Sequence, residues 1–285
     1  MSRAIFSTWF LLLLPLLLPL LLGCSMSGRF HKEGFKVIAH RGASREAPEN
    51  TLGALELGVK QGSNGVEFDV YKSSDGWLVL LHDKDVLRTT NFKDVFTDGR
   101  SAKVSELTLA ELRKLDAGSW HSPAYAGEKV PTFEEALELL RGRATPVIEI
   151  KPEDIGRDVA MIVQKLGIEQ EVFVQSFSPR AISDFHDVLP GVTTGYLTGR
   201  KISDNSVERA REHLRIARES GASVVVCNYR LADREYIEEV HRNEFLVWVY
   251  TVDDPAVMRL LMERGIDGII TNVPSVLLDL TGRGE

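Results

Sequence analysis

The chain has 285 residues, of which 44% are hydrophobic and 26% charged, enough apolar material for one large core or two small ones and no sign of global disorder. Its formal net charge is −7 and no block of Lys and Arg stands out, which argues against nucleic acid as a partner. There are only two cysteines, Cys24 and Cys227, with no CxxC or Cys/His zinc spacing.

In chain order, residues 1–23 read as an export signal rather than as part of the fold. Arg3 supplies a positive n-region, and a leucine-rich run over 9–22, interrupted by Pro15 and Pro19, is short for a bilayer span. An uncleaved membrane anchor is the alternative. Leu21-Leu22-Gly23-Cys24 resembles the bacterial lipobox, which implies that Cys24 becomes the lipidated first residue and that 24–34 is a linker. Ser25 resembles the outer-membrane sorting signal, where there is an outer membrane. The chain is thus expected to be exported and tethered to a membrane, facing the periplasm or the cell exterior. Cys227 ends the run Ser-Val-Val-Val-Cys and reads as a buried strand residue.

The domain, 35–285, opens with a strand over 36–40 that ends at His40, with Arg41-Gly42 starting a loop. Pro48-Glu49-Asn50-Thr51 leads into an apolar-periodic helix with Asn50 or Thr51 as N-cap. The segment 65–83 predicts a strand, a tight turn and a returning strand. Val66, Phe68 and Val70 alternate with Glu67, Asp69 and Tyr71, so the two carboxylates share a face. Taking Asp75-Gly76 as a two-residue hairpin loop pairs Ser74 with Trp77 and sets Asp69 opposite His82. Apolar neighbours bury part of this hairpin, and buried carboxylates call for a cation.

Residues 84–129 form an insertion with little strand character. It carries Arg88-Thr89-Thr90-Asn91, a helix near 105–115 with Thr108 and Glu111 as a capping box, and Gly118-Ser119-Trp120-His121. An insertion of this length is expected to be a lid or a substrate wall, a tolerated surface excursion being the alternative. Beyond it the pattern becomes regular. Helices over 131–140 (with Pro in the first turn, or Thr132 as cap), 154–166, 179–188, 204–220, 233–242 and 255–264 alternate with strands over 146–151, 172–176, 193–197, 223–227, 246–252 and 267–271. Eight parallel strands predict an α/β fold, a (β/α)8 TIM barrel, with the strand over 77–83 as an antiparallel arm. An open doubly wound sheet is the alternative, but no Gly-rich nucleotide loop supports it.

A barrel of this kind places its site at the C-terminal ends of the strands. Those ends carry His40 and Arg41, Glu67 and Asp69, Glu149 and Lys151, Gln175 and Ser176, Trp248 and Tyr250, and Asn272, with His82 returning from the hairpin. Glu67, Asp69 and Glu149 suit a hard cation such as Ca²⁺ or Mg²⁺. His40 and His82 suit general acid–base catalysis, and Arg41 and Lys151 suit an anionic, phosphate-like centre. A buried Glu149–Lys151 salt bridge is the structural alternative for that pair. His31, His121, His186, His213 and His241 lack such company and read as structural or exposed.

The ordered set His40-Arg41-Gly42, Pro48-Glu49-Asn50-Thr51, Glu67-Phe68-Asp69, His82-Asp83, Arg88-Thr89-Thr90, Leu115-Asp116-Ala117-Gly118, Val130-Pro131-Thr132, Ile148-Glu149-Ile150-Lys151 and Gln175-Ser176-Phe177 resembles the glycerophosphodiester phosphodiesterase family. Trp248-Val-Tyr250-Thr-Val252 and Asp267-Gly-Ile-Ile-Thr271-Asn272 resemble its closing motifs, so the likeness spans about 36–280. It implies a TIM barrel that hydrolyses glycerophosphodiesters to glycerol 3-phosphate and an alcohol. It further implies a divalent cation on Glu67, Asp69 and Glu149, His40 and His82 as the acid–base pair, and Arg41 and Lys151 on the phosphate. Asn50, Gln175, Phe177 and Trp248 are expected to complete the substrate-binding set. Two rival functions stand beside this one. One is a lysophospholipase D or phospholipase-type phosphodiesterase acting on acylated lipids, and the other a non-catalytic, surface-tethered binding lipoprotein.

Overall fold

The computed structural model describes residues 34–199 and 202–283. The expected signal segment, Cys24 and nearly all of the linker lie outside the described residues. Nine strands form one sheet: β1 (Lys36–Ala39), β2 (Gly65–Lys72), β3 (Leu78–Leu80), β4 (Thr145–Ile150), β5 (Phe173–Ser176), β6 (Thr194–Thr198), β7 (Val224–Asn228), β8 (Leu246–Tyr250) and β9 (Gly268–Thr271). All but β3 are parallel, and β1 pairs with both β9 and β2, so eight strands close into the expected barrel.

Alternation along each strand makes two cores. Outward side chains such as Val66, Phe68, Ile148, Val174, Val225, Val249 and Ile269 pack under the surrounding helices. Inward ones, Ile38, Val147, Phe173, Leu197, Val224, Val226, Trp248 and Ile270, fill the barrel as a dry plug. Two inward glycines make room for the largest of them. A Cβ on Gly195 would come within 2.6 Å of the Phe173 ring, and one on Gly268 within 3.0 Å of Trp248, whose ring stacks on Phe173 at 4.3 Å. Packing at this density leaves no space for a ligand at the barrel waist, so a site must lie above the plug.

Capping chemistry decides several boundaries. Thr51, not Asn50, caps helix Leu52–Lys60 by accepting from Ala54 N–H. Thr132 and Glu135 form a complete capping box, so helix Phe133–Leu140 begins after Pro131 rather than at it. The Thr108–Glu111 box forms as expected, but it splits the segment into a 3-10 turn, Val104–Glu106, and a short helix, Leu109–Leu112. A last helix, Pro274–Leu280, was not anticipated; its Leu277 and Leu278 join the outer core with Val37 of β1.

The hairpin corrects the expected register by one residue. Tyr71 faces Val79 and Lys72 faces Leu78, and Ser73 N–H donates to Trp77 O at 2.8 Å, which leaves a three-residue loop of Ser74, Asp75 and Gly76. Ser73 Oγ both donates to the Asp75 carboxylate and accepts from Trp77 N–H, and Gly76 takes the left-handed φ of +92° that this loop needs. Leu81 therefore faces Asp69, and its side chain turns into the core of the insertion with Val86, Leu112 and Leu115. His82 lies beyond the end of β3. Freed from the pleat, it still reaches the site. No helix among the described residues is long and apolar enough to cross a membrane.

Candidate active site

The barrel mouth holds a cavity of about 170 Å³ lined by His40, Arg41, Glu67, His82, Glu149, Lys151, Gln175, Phe177 and Tyr250, with Leu197 and Ile270 at its floor. Its acidic base follows from strand register. Glu67 and Asp69 point inward two residues apart on β2, and Glu149 on β4 is the direct neighbour of Asp69. One carboxylate oxygen from each lies within 4.8 Å of the other two, and all three residues are buried.

Two cations lean over this trio. Lys151 Nζ is 2.7 Å from Glu149 and 3.4 Å from Asp69, and Arg41 Nε is 3.3 Å from Asp69. Arg41 takes a left-handed φ of 55°, which directs its own N–H onto Glu67 Oε2 at 2.8 Å. Burial, then Asp69 and Glu149, push the Glu67 carboxyl well above its usual range, and burial and Asp69 raise Glu149 to about 7. Burial also acts against ionised Asp69, but Lys151 and Arg41 outweigh it and hold that carboxyl below the usual value. Even so, Glu67 Oε1 and Asp69 Oδ1 are buried without a hydrogen-bond partner. Unsatisfied buried carboxylate oxygens facing one another are the donor set of a hard divalent cation, and the residues fit one.

The two histidines are held differently. His40 Nδ1 lies 2.7 Å from Asn272 Oδ1, and Asn272 Nδ2 donates to Asp253 at 2.7 Å, which fixes the amide so that its oxygen faces the ring. His40 thus donates from Nδ1 and leaves Nε2 for chemistry. Burial, reinforced by Arg41, lowers its pKa to about 4. His82 Nδ1 meets Asp83 at 2.7 Å. Asp83 in turn accepts from Arg88 Nε at 2.6 Å, while both terminal nitrogens of Arg88 donate to Glu49, which also pairs with Arg41 at 2.8 Å. A continuous polar chain therefore runs from His82 to the acidic trio.

Of the predicted site residues, His40, Arg41, Glu67, His82, Glu149, Lys151, Gln175 and Phe177 line one cavity, with Asp69 at its base. Two others are placed elsewhere. Trp248 is fully buried in the plug below, because it is one inward step deeper on β8 than Tyr250, which does line the cavity. Asn50 sits behind Asp69, donating to its Oδ2 at 2.8 Å and accepting from its N–H at 3.1 Å, so it positions a carboxylate. The Glu149–Lys151 salt bridge does form, as part of the site rather than instead of it. Sequence reasoning missed Glu49, Arg88 and Asp253. The first two sat within motifs already noted, Pro48–Thr51 and Arg88–Thr90, but only the folded chain brings them together.

A family model for the glycerophosphoryl diester phosphodiesterase family matches residues 40–276. The glycerophosphodiester phosphodiesterase of Caldanaerobacter subterraneus is 32% identical over 254 residues, 87% of this chain and 98% of the relative. The crystal structure of glycerophosphodiester phosphodiesterase from Agrobacterium tumefaciens superposes with a TM-score of 0.72 at 30% identity, covering 86% of this chain and 99% of that one. A phosphodiesterase from Oleispira antarctica, solved in complex with the product sn-glycerol-3-phosphate, superposes with a TM-score of 0.74 at 28% identity over 87% of this chain and 97% of that one. A match of this extent, over a barrel with these residues at its mouth, leads to one conclusion: the chain belongs to the glycerophosphoryl diester phosphodiesterase family and is an enzyme of that activity.

Proposed function

We propose that the enzyme hydrolyses glycerophosphodiesters to glycerol 3-phosphate and an alcohol through a cyclic phosphate, with a Ca²⁺ or Mg²⁺ ion held by Glu67, Asp69 and Glu149. The observation that carries this reading is the buried trio in which Glu67 Oε1 and Asp69 Oδ1 accept no hydrogen bond, set beneath two histidines whose Nδ1 atoms are both tied down. When bound, the cation supplies charge neutralisation and Lewis acidity at the phosphate. Arg41 and Lys151 orient the phosphate oxygens, and Gln175, Phe177 and Tyr250 enclose the glycerol arm. A glycerol hydroxyl attacks phosphorus, forming one P–O bond as the bond to the alcohol breaks. One histidine takes the hydroxyl proton and the other protonates the leaving oxygen. Water then opens the ring with the two roles exchanged. Phosphorus NMR of a single turnover should show a transient cyclic phosphate, and excess chelator should remove activity until Ca²⁺ or Mg²⁺ is restored. Full turnover in chelator would overturn the cation site.

Phe177 is 48% exposed at the mouth and offers an apolar contact to an acyl chain, which keeps phospholipase-type activity as a second reading. Comparing head-group release from deacylated and acylated substrates separates the two. We also propose export and membrane tethering through Cys24; incorporation of labelled fatty acid, lost in Cys24→Ser, is the test.

A further inference from the structure

The inner cavity, at about 170 Å³, has room for one arm of a phosphodiester. A second depression of about 450 Å³ shares His40 and Arg41 with it, but not His82. Ser44, Arg45, Glu49 and Asn272 line this groove together with Trp120 and His121 of the insertion, which supply its aromatic wall. We propose that the groove is the subsite for the alcohol arm and that it favours polyhydroxy alcohols over quaternary ammonium ones. This rests on the phosphodiesterase reading above, with the phosphate over Arg41, where the two depressions meet.

This aromatic wall is a built one. The Asp116 carboxylate accepts from the N–H groups of Gly118, Ser119 and Gly127, each at 2.8 Å, and from Ser119 Oγ at 2.7 Å. Trp120 Nε1 donates to Ala117 O at 2.8 Å, and His121 lies edge-on between Trp120 and Tyr125 at centroid distances of 5.6 and 5.7 Å. Tyr125 then donates from its hydroxyl to Glu46 O at 3.0 Å, tying the wall to the loop after β1. A Cβ at Gly118 would stand 2.0 Å from Tyr125 O, so only glycine permits this packing. Trp120 remains 41% exposed, and its single N–H is already committed to Ala117.

Charge sets the preference. Glu49 is the one carboxylate lining the groove, and Arg41 and Arg88 already occupy both of its oxygens. A trimethylammonium group would find no open anion there, and Arg45 would oppose its attraction to the indole face. Arg45 is 64% exposed and makes only a 3.4 Å contact with Asp253, so its guanidinium can donate to a ligand. An aromatic platform with such a donor beside it suits the C–H face and hydroxyls of a polyol.

The test compares kcat/KM on sn-glycero-3-phosphoglycerol and sn-glycero-3-phospho-myo-inositol with that on sn-glycero-3-phosphocholine, using the cation-loaded enzyme. The polyol diesters should be preferred by about tenfold or more. Trp120→Ala and, separately, the exposed Arg45→Ala should bring the ratio close to one by raising KM for the polyol diesters, and Trp120→Phe should restore most of the preference. Inhibition by glycerol 3-phosphate, assigned to the inner cavity, should not change. Equal or better turnover of the choline diester would overturn the proposal, as would variants that slow every substrate by the same factor. Absence of hydrolysis on all three substrates would instead overturn the activity on which the proposal rests.

Discussion

Glu149→Gln tests both the charge balance of the cavity and its fitness for a cation. Glu149 is buried, with Lys151 Nζ at 2.7 Å and Asp69 as its cross-strand neighbour. Burial and the Asp69 charge raise its pKa from 4.5 to about 7. At about 1.4 kcal/mol per unit, ionising it in the cation-free fold costs about 3 kcal/mol. The folded-state value lies above the unfolded one, so this contribution to stability is complete below pH 4.5 and disappears as pH rises through 7. Glutamine keeps the shape without the charge, and the attraction of Lys151 is already contained in the raised pKa. At pH 8 in chelator the variant should thus be about 3 kcal/mol more stable than wild type, or about 6–12 °C in Tm. Added Ca²⁺ or Mg²⁺ should reverse the order, because a ligand at a thousand times its Kd stabilises wild type by about 4.1 kcal/mol and the variant has lost an anionic ligand. Calorimetry in chelator and in each cation reads both effects. A variant less stable than wild type in chelator at pH 8, or one that gains as much from the cation, would refute the reasoning.

His40→Ala and His82→Ala should each abolish turnover while circular dichroism stays native; near wild-type hydrolysis by either folded variant would remove that residue from the acid–base pair. His40 also predicts a pH effect on stability. Its folded pKa of about 4 lies below the ordinary 6.5, so its contribution is complete above pH 6.5 and is lost as pH falls towards 4, by about 3 kcal/mol in all. That slope opposes the one from Glu149, and urea unfolding of Glu149→Gln across this range should expose it. Arg88→Met cuts the tie between Asp83 and Glu49, and kcat should fall by about ten- to a hundredfold with little change in KM. An unchanged kcat would show that His82 needs no such support.

The barrel and most of the site were legible because both depend on short-range pattern. Period-two alternation put Glu67 and Asp69 on one face, and the spacing of Glu149 and Lys151 did the same on β4. What escaped depended on depth or on competition between neighbours. Alternation says that Trp248 and Tyr250 both point inward, but not that Gly195 and Gly268 let the barrel close over the deeper one. Asn50 was a reasonable helix cap until Thr51 took that role and left the amide for Asp69. The hairpin register failed because Ser73 and Asp75 side chains stabilise a longer loop than the Asp-Gly pair alone suggests. His121 read as structural or exposed, but its place on the groove wall depends on a contact between the insertion and the β1 loop that no local pattern reveals.

The charges around the site favour a divalent ion over a monovalent one. Asp83, Arg88, Glu49, Arg41, Asp69, Lys151 and Glu149 alternate in sign along one connected path, each in contact with the next. Glu67 joins at the side through the Arg41 N–H. Five carboxylates against three cations leave an excess of two negative charges when all are ionised. The excess is concentrated at Glu67 and Glu149, the two whose carboxyls are raised, because the arginines and the lysine are already engaged along the path. A divalent cation at the trio cancels that excess, whereas a monovalent one leaves a buried charge unmet. The incoming phosphodiester then brings a single negative charge to a neutral cluster beside Arg41 and Lys151, rather than to a repelling one. On this account Glu49 and Arg88, through their pairs with Arg41 and Asp83, set the charge that the cavity would present to such an ion and through it to the substrate.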